Sequence, residues 1–422
     1  MKIAVIVLFV LMYVIMIAKS EWRTWAALAV AAIFCVLGVV PLGEIFGAID
    51  FNVLMMIAGT MVVVDFFIES KMPGRIAEVI LGRSGNVRTV IILMSLFAGI
   101  VSAFIDNVAT VLMIAPVGLA ICKKLNISPV GMILSIAVSS NLQGAATLVG
   151  DTTSIMLGAY AKMDFLSFFW MNGRPGIFWA VELGAAATVL VMLILFRKQT
   201  QPVSVNTRTE VKNLFPTFML VGIVVVLICA SFIPDKPAIT NGLICCAFGI
   251  ACMIQDVLYS KKTDGFKRSV KGIDYQTVAL LAGLFVVIHG LENAGIIQDV
   301  ANFIGKLGGG NIFLLYTVIV WISVLISAFV DNIPYVATML PVVQGVSAAM
   351  GIQPYLLYFG LLSGATLGGN LTPVGASANI TATGLLRKEG YAVSTKDFAK
   401  IGVPFTLTAV IVGHLFIWFA WA

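Results

Sequence analysis

A carboxylate followed by an amide occurs twice in this chain, each time at the centre of a long apolar stretch. Ser102-Ala-Phe-Ile-Asp106-Asn107 is repeated as Ser327-Ala-Phe-Val-Asp331-Asn332. An ionised carboxylate at bilayer depth costs on the order of 3 kcal/mol, so two idle ones are not expected. Each aspartate could instead cap the helix that follows it. The two roles are compatible, because a capping carboxylate keeps lone pairs for a ligand.

Two further apolar segments are interrupted by glycine, proline, hydroxyl and amide residues. The interruptions lie at 144–154 and 368–379, and they predict broken helices. Unwound carbonyls in such helices can coordinate a cation, and the N-terminus of the resuming half-helix offers a positive dipole end to a substrate. Close packing through small residues is the competing explanation, but it leaves Asp151 and Asn379 unexplained.

These four motifs supply the predicted site. We expect three aspartates there and no lysine or arginine, and clustered, partly buried carboxylates are biased toward holding a proton or a metal cation. Such a site suits a multiply charged anion less well. The candidate sodium ligands are Asp106, Asn107, Asp331 and Asn332, and no cofactor is expected beyond sodium ions or protons. The predicted substrate and ion ligands are Ser102, Asp106, Asn107, Thr147, Gly150, Asp151, Thr152, Ser327, Asp331, Asn332, Thr372, Gly375, Ser377 and Asn379.

Composition indicates that membrane-spanning helices position these motifs. Of the 422 residues, 60% are apolar and 11% are charged, against roughly 25% charged in a soluble chain. The sequence therefore predicts an all-α polytopic membrane protein. Apolar stretches long enough to cross a bilayer predict about ten transmembrane helices, at 3–18, 22–40, 51–69, 128–160, 176–196, 214–232, 238–257, 275–293, 354–386 and 403–421.

The carboxylate-amide motifs lie in two apolar segments that are too long for one helix. We predict that each forms a re-entrant helical hairpin, at 88–121 and 309–349. The motifs repeat at an offset of 225 residues, which predicts two related halves. The halves are 21–200, with the broken helix 128–160, and 238–422, with the broken helix 354–386. Residues 1–20 form an extra helix, and 201–237 form a connecting loop and linking helix.

Lysine and arginine predict the orientation, because cytoplasmic loops carry them in excess. In the layout above the basic clusters fall on one face, both termini are extracytoplasmic, and the two halves are inverted repeats. This layout predicts an integral protein of the cytoplasmic (inner) membrane. Because the net charge of +6 is spread over loops, nucleic acid is not an expected partner. The basic residues are Lys19, Arg23, Lys71, Arg75, Arg83, Arg88, Lys123, Lys124, Arg197, Lys198, Arg208, Lys212, Lys261, Lys262, Lys267, Arg268, Lys271, Arg387 and Lys388.

At the hairpin and broken-helix motifs, over nearly the whole chain, the sequence resembles the ion transporter superfamily. That group includes arsenite permeases, D-type sodium/proton antiporters, the melanosomal P protein and divalent anion:sodium symporters. The segments 102–113, 327–338 and 375–379 look most like the P protein and arsenite permease branch. The resemblance implies a scaffold domain, a transport domain with both hairpins, a homodimer, elevator-type movement, and substrate and ion sites at the motif positions.

The chain departs from parts of the superfamily in two places. Dicarboxylate symporters have Ser-Asn-Thr at the hairpin tips, whereas this chain has Asp106-Asn107-Val108 and Asp331-Asn332-Ile333, which argues against dicarboxylate or citrate recognition. Where relatives have Asp-Pro-Pro-Asn, this chain has Asp151-Thr152-Thr153-Ser154, so the first broken helix would coordinate its ion differently.

The leading functional hypothesis is a secondary active transporter, coupled to protons or sodium, for a small anionic or weakly acidic solute. An arsenite-like acid fits best, because it is uncharged near pH 7 and the acidic site would not repel it. A sodium/proton antiporter and a passive anion channel remain alternatives. An enzyme is not expected, because the sequence has neither HExxH nor GxSxG with a partner histidine.

Overall fold

A computed structural model describes residues 1–82, 84–203, 209–211, 213–260, 264–307 and 309–422. Twenty α-helices are described in this part of the chain. The first ten are α1 (Lys2–Ala18), α2 (Arg23–Val36), α3 (Ile45–Ala48), α4 (Phe51–Glu69), α5 (Met72–Gly82), α6 (Val87–Ser102), α7 (Asn107–Lys124), α8 (Val130–Gly144), α9 (Thr152–Tyr160) and α10 (Ile177–Leu195). The others are α11 (Phe215–Ala230), α12 (Thr240–Ser260), α13 (Asp264–Gly272), α14 (Tyr275–Asn293), α15 (Ile296–Leu307), α16 (Ile312–Ser327), α17 (Asn332–Met350), α18 (Tyr355–Gly368), α19 (Ser377–Lys388) and α20 (Thr395–Trp421).

Short elements complete the fold. The antiparallel strands β1 (Trp170–Met171) and β2 (Arg174–Pro175) form a small hairpin before α10. The 3-10 turns are Ser20–Trp22, Leu42–Glu44, Leu166–Phe168 and Gly369–Leu371.

Seven of the described helices are long and apolar enough to cross a membrane, namely α4, α7, α10, α12, α14, α17 and α20. Six shorter apolar helices accompany them: α1, α2, α6, α8, α11 and α16. Large apolar side chains lie exposed on their outer faces, such as Val36 at 87% and Phe419 at 82%. This surface suits lipid rather than water. The chain is an integral membrane protein, while its number of crossings remains a prediction.

Helices α5, α13 and α15 were not predicted. They are short and one-sided, as in α5, where the buried residues Pro73, Ala77 and Leu81 repeat every four positions. Such a stripe raises amphipathicity without raising mean hydropathy, so a search for apolar stretches overlooks it. The last helix also begins earlier than predicted, at 395 rather than 403, because the Ser394 hydroxyl caps its polar first turn by accepting the Asp397 N–H at 3.1 Å.

Each predicted hairpin is a pair of helices joined by a four-residue turn. The first pair is α6 and α7, and the second is α16 and α17. The observed bounds are 87–124 and 312–350, against predictions of 88–121 and 309–349. Asp106 and Asp331 are the last residues of the turns and the N-caps of α7 and α17. The predicted broken helices are likewise interrupted, between α8 and α9 and between α18 and α19.

The helices pack in two groups, and the motifs lie on one side of the boundary between them. The first group is built on contacts of α4 with α12 and of α2 with α14, and includes α1 and α11. The second holds both hairpins, both broken helices, α10 and α20. Helix α15 contacts both α14 and α17, and α5 contacts α4, α6 and α7, so these two helices connect the groups.

Five residues of the predicted basic clusters lie outside the described part of the chain. They are Arg83, Arg208, Lys212, Lys261 and Lys262. The predicted connecting segment 201–237 is described except at 204–208 and 212.

Candidate functional site

The tip of the first hairpin presents two oxygens that have no hydrogen-bond partner among the described residues. Asp106 Oδ1 accepts the N–H groups of Val108 at 3.0 Å and Ala109 at 3.2 Å. Asn107 Nδ2 donates to Asn141 Oδ1 at 3.0 Å. No residue in the described part of the chain donates to Asp106 Oδ2 or to Asn107 Oδ1. These are the oxygen types that a hard cation such as sodium prefers.

The tip of the second hairpin is engaged by protein groups. Asp331 Oδ1 accepts the Ile333 N–H at 3.4 Å, in the same way that Asp106 Oδ1 accepts the Val108 N–H in the first half. Asp331 Oδ2 accepts from Arg23 Nη1 at 2.5 Å and from Ser377 Oγ at 2.8 Å. The Arg23 guanidinium also lies 3.3 Å from Ser377 Oγ. The second carboxylate is therefore neutralised by an ion pair.

Asp151 joins the first broken helix to the second hairpin. It is 3% exposed and caps α9, with the Thr152 N–H donating to Oδ1 at 2.7 Å. Its Oδ2 accepts from Thr153 Oγ1 at 3.0 Å and from Asn332 Nδ2 at 3.1 Å. Because Asn332 donates through its amide nitrogen, its Oδ1 remains free of hydrogen bonds to the described residues.

A buried amide network joins the first hairpin to the second broken helix. Asn141 Nδ2 donates to Asn370 Oδ1 at 2.8 Å and to Asn379 Oδ1 at 3.0 Å, while Asn141 Oδ1 accepts from Asn107. Asn379 in turn donates to Gly369 O at 3.0 Å, and Asn370 donates to Val138 O at 2.9 Å. Asn141 and Asn370 were not predicted. An amide inside the apolar stretch 128–160 was the available signal for Asn141.

The remaining predicted residues support the unwound segments. Thr147 donates to Ala103 O, and Thr372 donates to Ala328 O, so the same contact occurs in both halves at the offset of 225 residues. A Cβ on Gly150 would lie 2.8 Å from Ala103 O, and one on Gly375 would lie 2.7 Å from Ala328 O. The Ser102 hydroxyl accepts from Ser140 Oγ at 3.0 Å, and Ser327 donates to Ala365 O.

A cavity of about 560 Å³ lies between the two packing groups and brings together half of the predicted ligands. These are Asp106, Asn107, Asp151, Thr152, Asp331, Asn332 and Ser377. The first packing group contributes Arg23 from α2, Thr60 and Asp65 from α4, and Asp274, Gln276 and Thr277 from the start of α14. The other seven predicted residues do not line this cavity and make the contacts described above.

The expectation of a site without lysine or arginine is wrong. Arg23 lines the cavity and reaches Asp331, which is 308 positions away in sequence. Because Arg23 lies at the start of an apolar helix, it was predicted to lie in a basic loop. The carboxylates that line the cavity still outnumber it, so the site is acidic. They are Glu21, Asp65, Asp106, Asp151, Asp274 and Asp331.

Two of these carboxylates were not part of the predicted site. Asp274 caps α14 by accepting the N–H groups of Gln276 and Thr277, both at 3.1 Å. Asp65 accepts from Arg268 Nε at 3.1 Å and from Ser269 Oγ at 2.7 Å, so α13 holds it from outside the cavity.

A second cavity, of about 500 Å³, lies at the opposite ends of α4 and α14. His289 and Glu292 line it, and His289 Nε2 lies 3.0 Å from Glu44 Oε2. That hydrogen bond lowers the pKa of the Glu44 carboxyl below its usual value. Along α9, Thr152 lines the first cavity and Met156 lines the second. Four residues of helix, about 6 Å, therefore separate them.

An acidic cavity between two groups of membrane helices, with helix ends and unwound backbone at its wall, is an arrangement typical of secondary transporters. The fold is similar to that of two solved structures. The YdaH transporter of Alcanivorax borkumensis superposes with a TM-score of 0.59 over 94% of this chain and 96% of its own, at 12% identity. MtrF of Neisseria gonorrhoeae superposes with a TM-score of 0.58 over 92% of this chain and 83% of its own, at 13% identity.

The family follows from sequence comparison. The family model described as "Citrate transporter" matches residues 11–362, and the chain belongs to this family, within the ion transporter superfamily as predicted. It is similar to an uncharacterised transporter of Mycobacterium tuberculosis, at 31% identity over 99% of this chain and 98% of the relative. The human P protein is 25% identical over 96% of this chain and 58% of its own length.

Proposed function

We propose that the chain is a secondary active transporter that couples a small, weakly acidic solute to protons or sodium. The observation that supports this most directly is the cavity where Asp106, Asp151 and Asn332 meet with free oxygens on both hairpin tips. A transporter that binds its driving cation needs such oxygens at a point that both membrane faces can reach in turn. The coupling cation would bind to Asp106 Oδ2 and to the side-chain oxygens of Asn107 and Asn332.

The charge of the cavity favours a solute without multiple negative charges. Six carboxylates line it and Arg23 is its one cation among the described residues. An arsenite-like acid, uncharged near pH 7, meets no repulsion there and offers O–H donors to carboxylates. The name of the family makes citrate the other solute to test. To bind a citrate carboxylate, Arg23 would have to release Asp331, and four further carboxylates besides Asp65, which is paired with Arg268, would oppose the anion.

The two cavities support transport by alternating access. A solute in the first cavity is separated from the second by about one turn of α9 and α17, since Ile333 lines the first and Ala337 the second. We propose that the hairpin group moves against α2, α4 and α14, in an elevator-type movement of two inverted repeats. The proposal also includes a homodimer in the cytoplasmic membrane with both termini extracytoplasmic.

A sodium/proton antiporter is the second candidate, and the acid excess of the cavity favours it. In that case the cation bound at Asp106 is itself the cargo, and no other solute is required. The passive channel predicted as a further alternative would need a continuous path, whereas the two cavities are separate.

Transport by the purified full chain in proteoliposomes tests these functions. With an inward sodium or proton gradient, we expect vesicles to accumulate radiolabelled arsenite above the external concentration, and citrate to accumulate less. Proton flux driven by sodium without any solute would contradict the leading proposal and support the antiporter. Equilibration without accumulation would support a channel.

A further inference from the structure

The two hairpin tips occupy equivalent positions in the repeat but differ in one contact. Both aspartates use Oδ1 to cap the following helix. At Asp331, Oδ2 is bound by Arg23 and Ser377, whereas at Asp106 no described residue donates to Oδ2. One tip carboxylate is open to an exchangeable ion and the other already has a cation.

Arg23 reaches this position from outside the hairpin group. It is the first residue of α2, which packs against α1 and α14. Asn52 and Gln276 are equivalent positions of the repeat, and they contact Gly242 and Thr24 respectively. These contacts place Asn241 opposite Arg23, so the first half has no equivalent guanidinium. The ion pair therefore spans the boundary between the packing groups, and only at the second hairpin.

An arginine is suited to this role because it keeps its charge at every physiological pH and holds a carboxylate in fixed geometry. The side chains of Arg23 and Asp331 are 22% and 17% exposed, so water screens the pair only partly. A free cation at Asp331 Oδ2 would have to displace the guanidinium from the same oxygen.

We propose that Arg23 is a tethered cation that occupies the second tip carboxylate in place of a coupling ion. This proposal rests on the proposed function, and it adds how many exchangeable cations the chain binds. In this state of the protein only the tip of the first hairpin binds an exchangeable cation. When the hairpin group moves away from α2, Asp331 loses Arg23, so the same residue also favours the state described here.

Equilibrium binding of ²²Na⁺ to the purified full chain at pH 8 tests the proposal. Arg23→Gln keeps a polar side chain but removes the charge, and we expect it to bind one more sodium ion per chain than the wild type. Arg23→Lys and the double variant Arg23→Gln with Asp331→Asn should show no gain. Lys19→Gln is the matched control, because Lys19 is a neighbouring cation that contacts the Trp22 ring instead of Asp331.

Chemical rescue separates charge from folding. Arg23→Ala should gain the same sodium ion, and millimolar guanidinium chloride should reduce its binding to the wild-type level. An unchanged count in both Arg23→Gln and Arg23→Ala, with thermal unfolding that shows folded protein, would overturn the proposal. So would a gain that persists in the double variant.

If Arg23→Gln does not fold, Arg23→Ala refolded in guanidinium chloride and then dialysed free of it provides the count, and the double variant provides the baseline without the gain. Failure of the proposed function would be seen separately, as wild-type vesicles that do not transport.

Discussion

The two halves of the molecule share a framework and differ in the chemistry they place on it. Thr147 and Thr372 make the same contact with the adjacent hairpin turn, and Gly150 and Gly375 allow the same close approach. The first half then adds Asp151, where the second has Ala376. The second half has its one tip carboxylate paired with Arg23. A repeat can thus keep its backbone contacts while only one half leaves its tip carboxylate open to the proposed cation.

The largest effect is expected from removing the open carboxylate. Asp106→Asn should lower cation-coupled transport by about 100-fold, because losing the charge of a partly buried ion ligand costs about 3 kcal/mol. Initial rates of uptake in proteoliposomes measure this, and Asp299→Asn, an exposed residue paired with Lys2, is the control. If Asp331→Asn lowered the rate of uptake by as much, and Asp106→Asn kept the sodium dependence of the wild type, the open carboxylate would have been assigned to the wrong half.

The shared framework should respond equally in both halves. Gly150→Ala and Gly375→Ala place a methyl group 2.6 to 2.8 Å from backbone carbonyl oxygens, both in the same broken helix and in the adjacent hairpin turn. Each substitution should cost about 3 kcal/mol of stability. Gly384→Ala is the control, because its Cβ would meet nothing within 4 Å. Thermal unfolding in detergent measures the change, and tolerance of either substitution would break the equivalence.

The amide network should be next in size. Asn141→Ala removes the partner of Asn107 Nδ2 and the donor to the Oδ1 atoms of Asn370 and Asn379, which costs about 2 kcal/mol. The measurement is again thermal unfolding, with Asn302→Ala as an exposed control whose amide oxygen accepts from Gln298. If Asn141→Ala were as stable as the control, the network would not join the two halves.

The smallest effect is expected at the mouth of the cavity. Arg268 binds Asp65 and Glu69 there, but its side chain is 41% exposed, so Arg268→Gln should cost less than about 1 kcal/mol. Lys267→Gln, on the same helix, is the control. A loss of several kcal/mol would show that Asp65, like Asp331, depends on its ion pair.

The sequence predicted the parts of the site that local patterns carry. Aspartate at a hairpin tip and glycine in a broken helix each interrupt an apolar stretch, and those interruptions led to the prediction of Asp106, Asp331 and Asp151, which line one cavity. Arg23 was missed because its partner is 308 positions away, and a charge at the end of an apolar helix is ordinarily an interfacial anchor. The helices α5, α13 and α15 were missed because amphipathic stripes do not form long apolar stretches.

The central claim is that the two hairpin tips and the first broken helix hold the coupling cation. An electron cryo-microscopy structure of the protein in sodium and solute, at a resolution that shows ion coordination, tests it most directly. We predict density for a cation at Asp106 Oδ2, within reach of the side-chain oxygens of Asn107 and Asn332, with Arg23 still paired to Asp331. A cation bound to Asp331 beside an unoccupied Asp106 would contradict the account.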